Sequence, residues 1–202
     1  MRMVVVGVSL GGLDAVKRLL RALPESFQDP LAIVQHRRHD SIEGTLVALL
    51  AECTDRVVKE PEDKEAICRN YIYVAPPGYH LLVDKTSFSL SMEPPVRFAR
   101  PSIDVLFESA ALAFGERLTA VVLTGASDDG AAGAALVKGC GGHVFVQTPS
   151  SSESSVAPLA TMARIKPDVE GEIEVLARAL NDRNQGKKAI VFPLSVPPWH
   201  AT

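Results

Sequence analysis

Short apolar runs recur along the chain and alternate with segments whose apolar residues follow helical spacing. The runs predict buried strands at 4–8, 31–35, 57–58, 71–75, 118–123 and 143–147. The helical spacing predicts helices at 13–23, 42–53, 102–114, 131–138, 156–164 and 169–181. Strands that alternate with helices in this order indicate an α/β fold with a mainly parallel, doubly wound sheet flanked by helices.

Two segments depart from this alternation. Residues 80–83 and 88–92 are strand-like and flank a short polar turn, which predicts an antiparallel hairpin near the middle of the chain. Residues 191–202 are rich in proline and predict an extended tail. No internal repeat or linker interrupts the pattern, so we expect a single domain that spans residues 1–202.

The composition narrows the class of protein. Hydrophobic residues make up 47% and charged residues 22% of the chain, as in a soluble globular domain. The net charge of −3 argues against a nucleic-acid partner, and no apolar run reaches the ~20 residues of a membrane span, so no membrane insertion is expected. The three cysteines are widely spaced, which suggests no zinc site and agrees with a reduced, cytoplasmic protein.

A glycine-rich turn joins the first predicted strand to the first helix and contains a candidate nucleophile. Residues 7–11 read Gly-Val-Ser-Leu-Gly, so Ser9 stands between two glycines in a G-x-S-x-G pattern. Such a turn can expose the hydroxyl above a sheet and direct backbone N–H groups at one point, as acyl transfer requires. A phosphate or dinucleotide site could also begin with a glycine-rich turn, although the spacing fits neither motif. A plain strand-to-helix connection without chemistry is the third alternative.

Two further strand ends carry polar residues that could complete a catalytic set. His36 follows the second strand, and the loop 124–130 after a later strand contains Asp128 and Asp129. Because the carboxyl ends of parallel strands meet at one edge, we expect serine, histidine and aspartate to converge there. Taken singly, His36 could be structural and either aspartate could be a helix cap. His80, in the predicted hairpin, is expected to be structural.

Several motifs in a fixed order carry a family resemblance. They lie at 7–12, 34–36, 73–80, 100–107 and 123–133, and the match covers nearly the whole chain to Arg164. With these motifs the chain resembles the catalytic domain of the CheB-type chemotaxis protein-glutamate methylesterases. The resemblance implies hydrolysis of glutamyl γ-methyl esters on chemoreceptors and, in some members, deamidation of receptor glutamine.

The resemblance also implies roles for individual residues. It implies a triad of Ser9, His36 and Asp129. In such a triad we expect the carboxylate against Nδ1–H of the histidine and Nε2 towards the serine. The backbone N–H groups of Leu10 and Ala126 would form the oxyanion hole, and neither a metal nor a cofactor is needed. The expected partners are the cytoplasmic helices of methyl-accepting chemoreceptors, with a separate receiver or histidine-kinase protein as a further candidate.

Three stretches depart from the family pattern. Leu10 stands in place of the usual threonine, 37–39 read Arg-Arg-His in place of Met-Pro-Pro, and 125–130 read Gly-Ala-Ser-Asp-Asp-Gly in place of Gly-Met-Gly-x-Asp-Gly. Backbone donors survive a change of side chain, so we expect the chemistry to be intact. The substrate side is expected to be altered, and its candidate residues are Arg37, Arg38 and Arg100.

The same departures support an alternative function. In that alternative the chain is catalytically impaired and acts as a receptor-binding or scaffold module of the same fold. A nucleotide-binding domain is a further candidate, suggested by the glycine-rich turn alone. The family usually carries an N-terminal receiver domain, whereas this sequence starts at the catalytic strand, so we expect either a stand-alone member or an excised domain.

Overall fold

The computed structural model describes residues 1–37, 42 and 44–187. Within these ranges the chain forms nine strands and six α-helices. The strands are β1 (Met3–Val8), β2 (Leu31–Gln35), β3 (Val57–Lys59), β4 (Tyr71–Val74), β5 (His80–Val83), β6 (Phe88–Ser91), β7 (Leu118–Val122), β8 (His143–Gln147) and β9 (Val169–Gly171). The helices are α1 (Gly12–Ala22), α2 (Thr45–Ala51), α3 (Ile103–Phe114), α4 (Ala131–Gly139), α5 (Val156–Met162) and α6 (Ile173–Asn184). The tail expected at 191–202 lies outside the described residues.

Seven of these strands form one parallel sheet in the order β3-β4-β2-β1-β7-β8-β9. β5 and β6 form a separate antiparallel hairpin. The predicted fold class, a mainly parallel sheet flanked by helices with a central hairpin, is therefore confirmed. The chain builds one half of the sheet outwards from β1 and the other half from β7, so the direction of winding reverses between these two strands. None of the described helices combines the length and the apolar character that a membrane crossing needs.

The helix predicted from residue 169 is wrong at its start. Residues 169–171 form β9, the edge strand of the sheet, and Val169 pairs in parallel with Phe145 of β8. The Gly171 carbonyl also accepts a hydrogen bond from Thr148 N–H at 2.9 Å. A strand of three residues is too short to show a period of two, so only its sheet partner distinguishes it from a first helical turn.

Both faces of the sheet are covered, as the continuous apolar strands predict. In β1, Met3 and Val5 belong to one hydrophobic cluster, whereas Val4 and Val6 belong to another. The first cluster also contains buried side chains of α3, α4 and the hairpin, and the second contains those of α1, α2 and α6. The period of two along the strand thus sends successive side chains into separate cores on opposite sides of the sheet.

The N-terminal ends of α3 and α4 are linked by two carboxylates, each of which caps the other helix. Asp129, just before α4, accepts hydrogen bonds from the N–H groups of Ile103 and Asp104 in the first turn of α3. The Asp104 carboxylate accepts hydrogen bonds from the N–H groups of Gly130 and Gly133 at the start of α4. Because a helix N-terminus has unpaired N–H groups and a positive partial charge, each carboxylate stabilises the helix that it caps.

The same two helices approach each other closely at Gly133. A Cβ atom at this position would lie 2.6 Å from Phe107 Cβ and 3.1 Å from the carbonyl oxygen of Asp104. Phe107 is fully buried and its Cβ is attached to the backbone of α3, so the contact can be relieved only by moving that helix. Glycine at 133 therefore permits the helix contact that brings Asp104 to the start of α4.

Gly133→Ala is expected to lower the free energy of unfolding by about 1–3 kcal/mol, because the new methyl group must displace the Cβ atom of Phe107 and backbone atoms of Asp104. Gly139→Ala, at the other end of α4, is the matched control, since a Cβ there meets no atom within 4 Å. The control is expected to be neutral or to gain up to about 1 kcal/mol through a less flexible unfolded chain. Urea unfolding measures both variants, and equal stabilities would contradict the close contact.

Candidate active site

The predicted site residues lie at the ends of three neighbouring strands. β1 pairs with both β2 and β7, and Val8 is opposite Gln35. The residues that follow these two, Ser9 and His36, therefore emerge at the same edge of the sheet. His36 N–H donates to the Val8 carbonyl at 3.0 Å, and Ser9 N–H donates to the Thr124 carbonyl beyond β7, also at 3.0 Å. This edge lies where the winding reverses, which is where open α/β sheets bind their ligands.

The turn after β1 has the geometry that its glycines predict. Gly11 has a left-handed φ of 76°, and α1 begins at the next residue, Gly12. Gly12 N–H donates to the Ser9 carbonyl at 2.9 Å. The Thr124 hydroxyl donates to the Leu10 carbonyl, also at 2.9 Å. Both carbonyl oxygens of the turn are thus engaged within the protein, while Ser9 is partly exposed.

His36 and Asp129 form the direct contact in the predicted triad. His36 Nε2 lies 2.7 Å from Asp129 Oδ2. The expected arrangement, with the carboxylate against Nδ1, is therefore wrong, and Nδ1 is the nitrogen left to accept a proton. The sheet order supplies the reason. β1 separates the strands that precede these residues, a distance of about 10 Å, and Nε2 is the ring nitrogen that reaches farther from the backbone.

Ser9 lies on the strand between the members of this pair. In the described part of the chain, no hydrogen bond joins Ser9 Oγ to His36. A nucleophile and its base are often slightly apart in a free enzyme and come together only when substrate binds. The structure thus brings His36 and Asp129 into contact and places Ser9 at the adjacent strand end.

The Asp129 carboxylate is buried and accepts hydrogen bonds at both oxygens. Oδ2 accepts from His36 Nε2 and from Ile103 N–H at 2.8 Å. Oδ1 accepts from the Ser102 hydroxyl at 2.9 Å and from Asp104 N–H at 3.0 Å. Burial alone would raise the pKa of Asp129, but the hydrogen bonds from His36 and from the start of α3 outweigh it and lower the pKa below its ordinary value. Hydrogen bonds therefore stabilise the negative charge of the buried Asp129 carboxylate.

His80 supports this carboxylate from the opposite side. Its Nδ1 accepts from Ser102 N–H at 3.3 Å, and its Nε2 donates to the Pro94 carbonyl at 3.1 Å. Ser102 in turn donates its hydroxyl to Asp129. His80 is 2% exposed, so its role is to position Ser102 inside the protein.

Neither Ser102 nor Asp104 is predicted at the site from the sequence. Ser102 caps α3, with its oxygen accepting from Val105 N–H at 3.5 Å, and it also donates to Asp129. Asp104 fixes the start of α4, which directly follows Asp129. A signal was present, since both residues belong to the motif at 100–107, but which groups they bind depends on the packing of α3 against α4.

The neighbouring aspartates bind different partners. Asp128 Oδ2 lies 2.6 Å from Arg97 Nη1, and its side chain is about half exposed. Arg97 Nε also donates to Asp104 at 3.1 Å. Asp128 therefore anchors a surface segment, whereas Asp129 serves the histidine.

The backbone N–H groups predicted as oxyanion donors are available. Within the described ranges, the N–H groups of Leu10 and Ala126 meet no acceptor, and both residues are exposed. The loop that contains Ala126 runs directly against Ser9. A Cβ at Gly125 would lie 3.0 Å from Ser9 Cβ. Two unpaired donors thus lie next to Ser9 in sequence or in space, as an oxyanion site requires.

Arg37, a predicted substrate-side residue, is engaged within the protein. Its Nη2 lies 2.6 Å from Glu60 Oε1 and 2.5 Å from the Ala75 carbonyl oxygen. The Arg37 side chain is only 9% exposed. Its guanidinium therefore ties the segment after β2 to the segments around β4 and does not extend freely towards solvent.

Two cavities lie beside His36. One, of about 600 Å³, is lined by Ser9 and Glu153. The other, of about 760 Å³, is lined by Arg100 and Ser127. His36 lines both, so its ring can serve a nucleophile on one side and a substrate that extends along the other.

The other two predicted substrate-side arginines are Arg100 and Arg38. Arg100 lines the larger cavity, and its Nη1 donates to the carbonyl oxygens of Met92 and Glu93 at 2.8 and 3.0 Å. Arg38 lies outside the described residues. Of the two arginines that the structure describes, both line this cavity, but the Arg37 guanidinium is buried in contacts with Glu60 and Ala75, so Arg100 is the better candidate for a place next to substrate.

A carboxylate beside the glycine-rich turn disfavours a phosphate or nucleotide site. A Cβ at Gly11 would lie 2.5 Å from Glu153 Oε2. A phosphate at this turn would face that like charge at short range. Across residues 1–37, 42 and 44–187, no three or more His, Cys, Asp or Glu side chains are grouped so that they could hold a metal ion.

Known proteins are similar in sequence to this chain over most of its length. A Leptospira interrogans protein with the provisional name protein-glutamate methylesterase/protein-glutamine glutaminase is 41% identical over 175 residues, which is 86% of this chain and 90% of that protein. The protein-glutamate methylesterase/protein-glutamine glutaminase 2 of Anaeromyxobacter dehalogenans is 34% identical over 184 residues, which is 89% of this chain but 52% of that protein. The chain thus spans most of the first relative and about half of the second.

The fold and the family model agree with these relatives. The crystal structure of the Thermotoga maritima CheB methylesterase catalytic domain superposes with a TM-score of 0.86 at 27% sequence identity, covering 90% of this chain and 98% of that one. The model of the CheB methylesterase family matches residues 4–180, which include all three strand ends described above. This chain therefore belongs to the CheB methylesterase family.

Proposed function

We propose that this chain is a serine hydrolase that removes methyl groups from glutamate γ-methyl esters on chemoreceptors and also deamidates receptor glutamine. The contact between His36 and Asp129 carries the proposal, because a buried carboxylate holds the imidazole at the strand end next to Ser9. The Leptospira and Anaeromyxobacter relatives are named for both activities. An ester and a primary amide differ in the leaving group but need the same nucleophile, base and oxyanion donors.

In the first step, Ser9 Oγ attacks the ester carbonyl carbon and its proton passes to Nδ1 of His36. Nε2–H stays hydrogen-bonded to Asp129, so the imidazolium forms beside a fixed negative charge. The N–H groups of Leu10 and Ala126 bind the oxyanion of the tetrahedral intermediate. When that intermediate collapses, the bond to the methoxy oxygen breaks and methanol leaves with the proton from His36.

In the second step, water attacks the acyl group on Ser9. His36 accepts a proton from this water, and the tetrahedral intermediate forms at the same N–H groups. The bond to Ser9 Oγ then breaks, and His36 returns its proton to the serine. The products are a glutamate side chain and the free enzyme, and with a glutamine substrate ammonia replaces methanol as the first product.

The observations support catalysis more strongly than a scaffold role. The changes at Leu10 and Ala126 affect side chains, whereas the N–H groups that catalysis would use have no acceptor in the described part of the chain. The change at Arg37 introduces an internal ion pair with Glu60 and not a group that blocks Ser9. The Asp129 carboxylate also stabilises the start of α3, but a receptor-binding module has no need of a histidine that this carboxylate orients at the strand end next to Ser9.

The cytoplasmic helices of methyl-accepting chemoreceptors are the proposed substrate. An esterified glutamate is long enough for its carbonyl to reach a strand-end serine while the helix backbone stays outside. The 760 Å³ cavity beside His36 offers space for that helix, and Arg100 lines it. We therefore place the substrate along the side of His36 that faces this cavity.

Ser9→Ala is expected to lower methanol release from a methylated receptor fragment by roughly 10⁴–10⁶-fold, because members of a triad act as a unit. The circular dichroism spectrum and the urea midpoint are expected to match those of the wild type. Ser91→Ala, in the hairpin strand β6, is a matched control that should keep wild-type turnover. Near wild-type methanol release by Ser9→Ala would end the serine-hydrolase proposal.

Asp129→Asn is expected to be folded but to lose roughly 10⁴-fold in rate, since an amide can stabilise the wrong histidine tautomer, as in another triad enzyme. Asp128→Asn is the control, because Asp128 contacts Arg97 on the surface and should retain most of the activity. Steady-state rates with a small glutamate γ-methyl ester compare the two variants. A greater loss in Asp128→Asn would mean that Asp128, and not Asp129, orients the histidine.

The lowered pKa of Asp129 predicts a stability difference that depends on pH. The carboxylate stabilises the fold while it is ionised, so its contribution is present above its ordinary pKa of 3.8 and is lost as the pH falls through the lower pKa of the folded state. Wild type should therefore exceed Asp129→Asn in unfolding free energy at about pH 7, and the gap should shrink at about pH 3. Burial and the charge of Asp129 raise the pKa of Asp104, which acts in the opposite direction. Asp129→Asn removes that charge, so only the contribution of burial is common to both proteins. A gap that widens in acid, measured by urea unfolding, would contradict the lowered pKa.

A further inference from the structure

A tight turn at the rim of the larger cavity has an unusual composition. Val96 N–H donates to the Ala99 carbonyl at 3.1 Å, and Ala99 N–H donates back at 2.9 Å. Between them Arg97 and Phe98 both have positive φ, of 48° and 63°. Turns with two left-handed central residues are normally built from asparagine and glycine. We name residues 96–99 the Phe98 turn.

The protein holds this conformation by ion pairs. Arg97 Nε donates to Asp104 at 3.1 Å, and Arg97 Nη1 lies 2.6 Å from Asp128. These contacts hold Arg97, and the paired hydrogen bonds between Val96 and Ala99 close the turn around Phe98, even though an aromatic residue disfavours a left-handed conformation. Strain of this kind persists where the surrounding structure enforces it, and it concentrates at functional sites.

The ring of Phe98 has no role in the packing of the chain. Phe98 is fully exposed, with a relative accessibility of 105%. Together with Pro95 and Ala99 it lines the same cavity as His36. An apolar surface is thus presented to solvent beside the reaction centre, in a turn whose strain core packing does not explain.

We propose that Phe98 is a specificity-determining contact for the protein substrate. Its ring packs against an apolar side chain of the receptor helix, one helical turn from the esterified glutamate that enters towards His36. Residues three or four positions apart lie on the same face of a helix, so one helix can present both groups to this cavity. Because the turn is fixed before binding, little conformational entropy is lost on contact. This inference rests on the proposed function.

The test compares a receptor substrate with a small one. Phe98→Asn removes the ring and keeps the turn, because asparagine tolerates left-handed φ. Its kcat/KM for a methylated receptor fragment is expected to fall roughly tenfold, mainly through KM, as for loss of a central interface contact. Its kcat/KM for N-acetylglutamate γ-methyl ester should fall far less. Phe98→Leu should recover most of the receptor activity, and Leu112→Gln, an exposed apolar residue of α3 outside this cavity, should match wild type on both substrates.

Three outcomes would overturn the inference. The first is wild-type receptor kinetics in Phe98→Asn, and the second is an equal loss on both substrates, which would assign a structural role to the turn. The third is a dimer of the wild type that Phe98→Asn dissolves, which would assign the ring to self-association. If the wild type hydrolyses neither ester, the proposed function has failed. The affinity of Ser9→Ala for the receptor fragment, with and without Phe98→Asn, then decides whether the ring contacts that partner.

Discussion

The hydrogen bonds to the Asp129 carboxylate hold both the site and the helices around it in place. An ionised carboxylate is costly to bury unless donors replace its lost water, and this one receives donors at both oxygens. Two of them are N–H groups in the first turn of α3, so the position of that helix is tied to the charge. Asp104, in the same turn, caps α4, which begins just after Asp129. The starts of α3 and α4 and the ring of His36 are therefore all held by the same two carboxylates, those of Asp129 and Asp104.

The order of strands explains the orientation of the histidine. Ser9 follows the strand between those that precede His36 and Asp129, so the imidazole extends across the end of β1 to reach the carboxylate. Because Nε2 is engaged in that contact, the proposed mechanism passes the serine proton to Nδ1. The family of the chain implies the same three residues as in other serine hydrolases, but the topology decides which ring nitrogen faces which partner.

Prediction from the sequence succeeds where local pattern decides the outcome. Continuous apolar strands predict a parallel sheet covered on both faces, and parallel strand ends predict that Ser9 and His36 meet at one edge. It fails where tertiary contacts decide. β9 has only three residues and is defined by its pairing with β8. The roles of Ser102 and His80 depend on contacts that join β5 to the start of α3 and the start of α3 to Asp129. The ring nitrogen that meets Asp129 depends on strand order, which no local pattern encodes.

In the proposed function, two adjacent aspartates have different roles: Asp129 serves the reaction and Asp128 serves the contact with the partner. Asp129 points inwards to the histidine, whereas Asp128 points outwards to Arg97 and supports the Phe98 turn. A substitution in that turn can alter the surface offered to a partner without removing a donor from the Asp129 carboxylate, because none of those donors comes from residues 96–99. Under the proposed function, a change in the turn alters recognition and leaves the reaction intact, and the departures of this chain from its family pattern do not by themselves argue for lost catalysis.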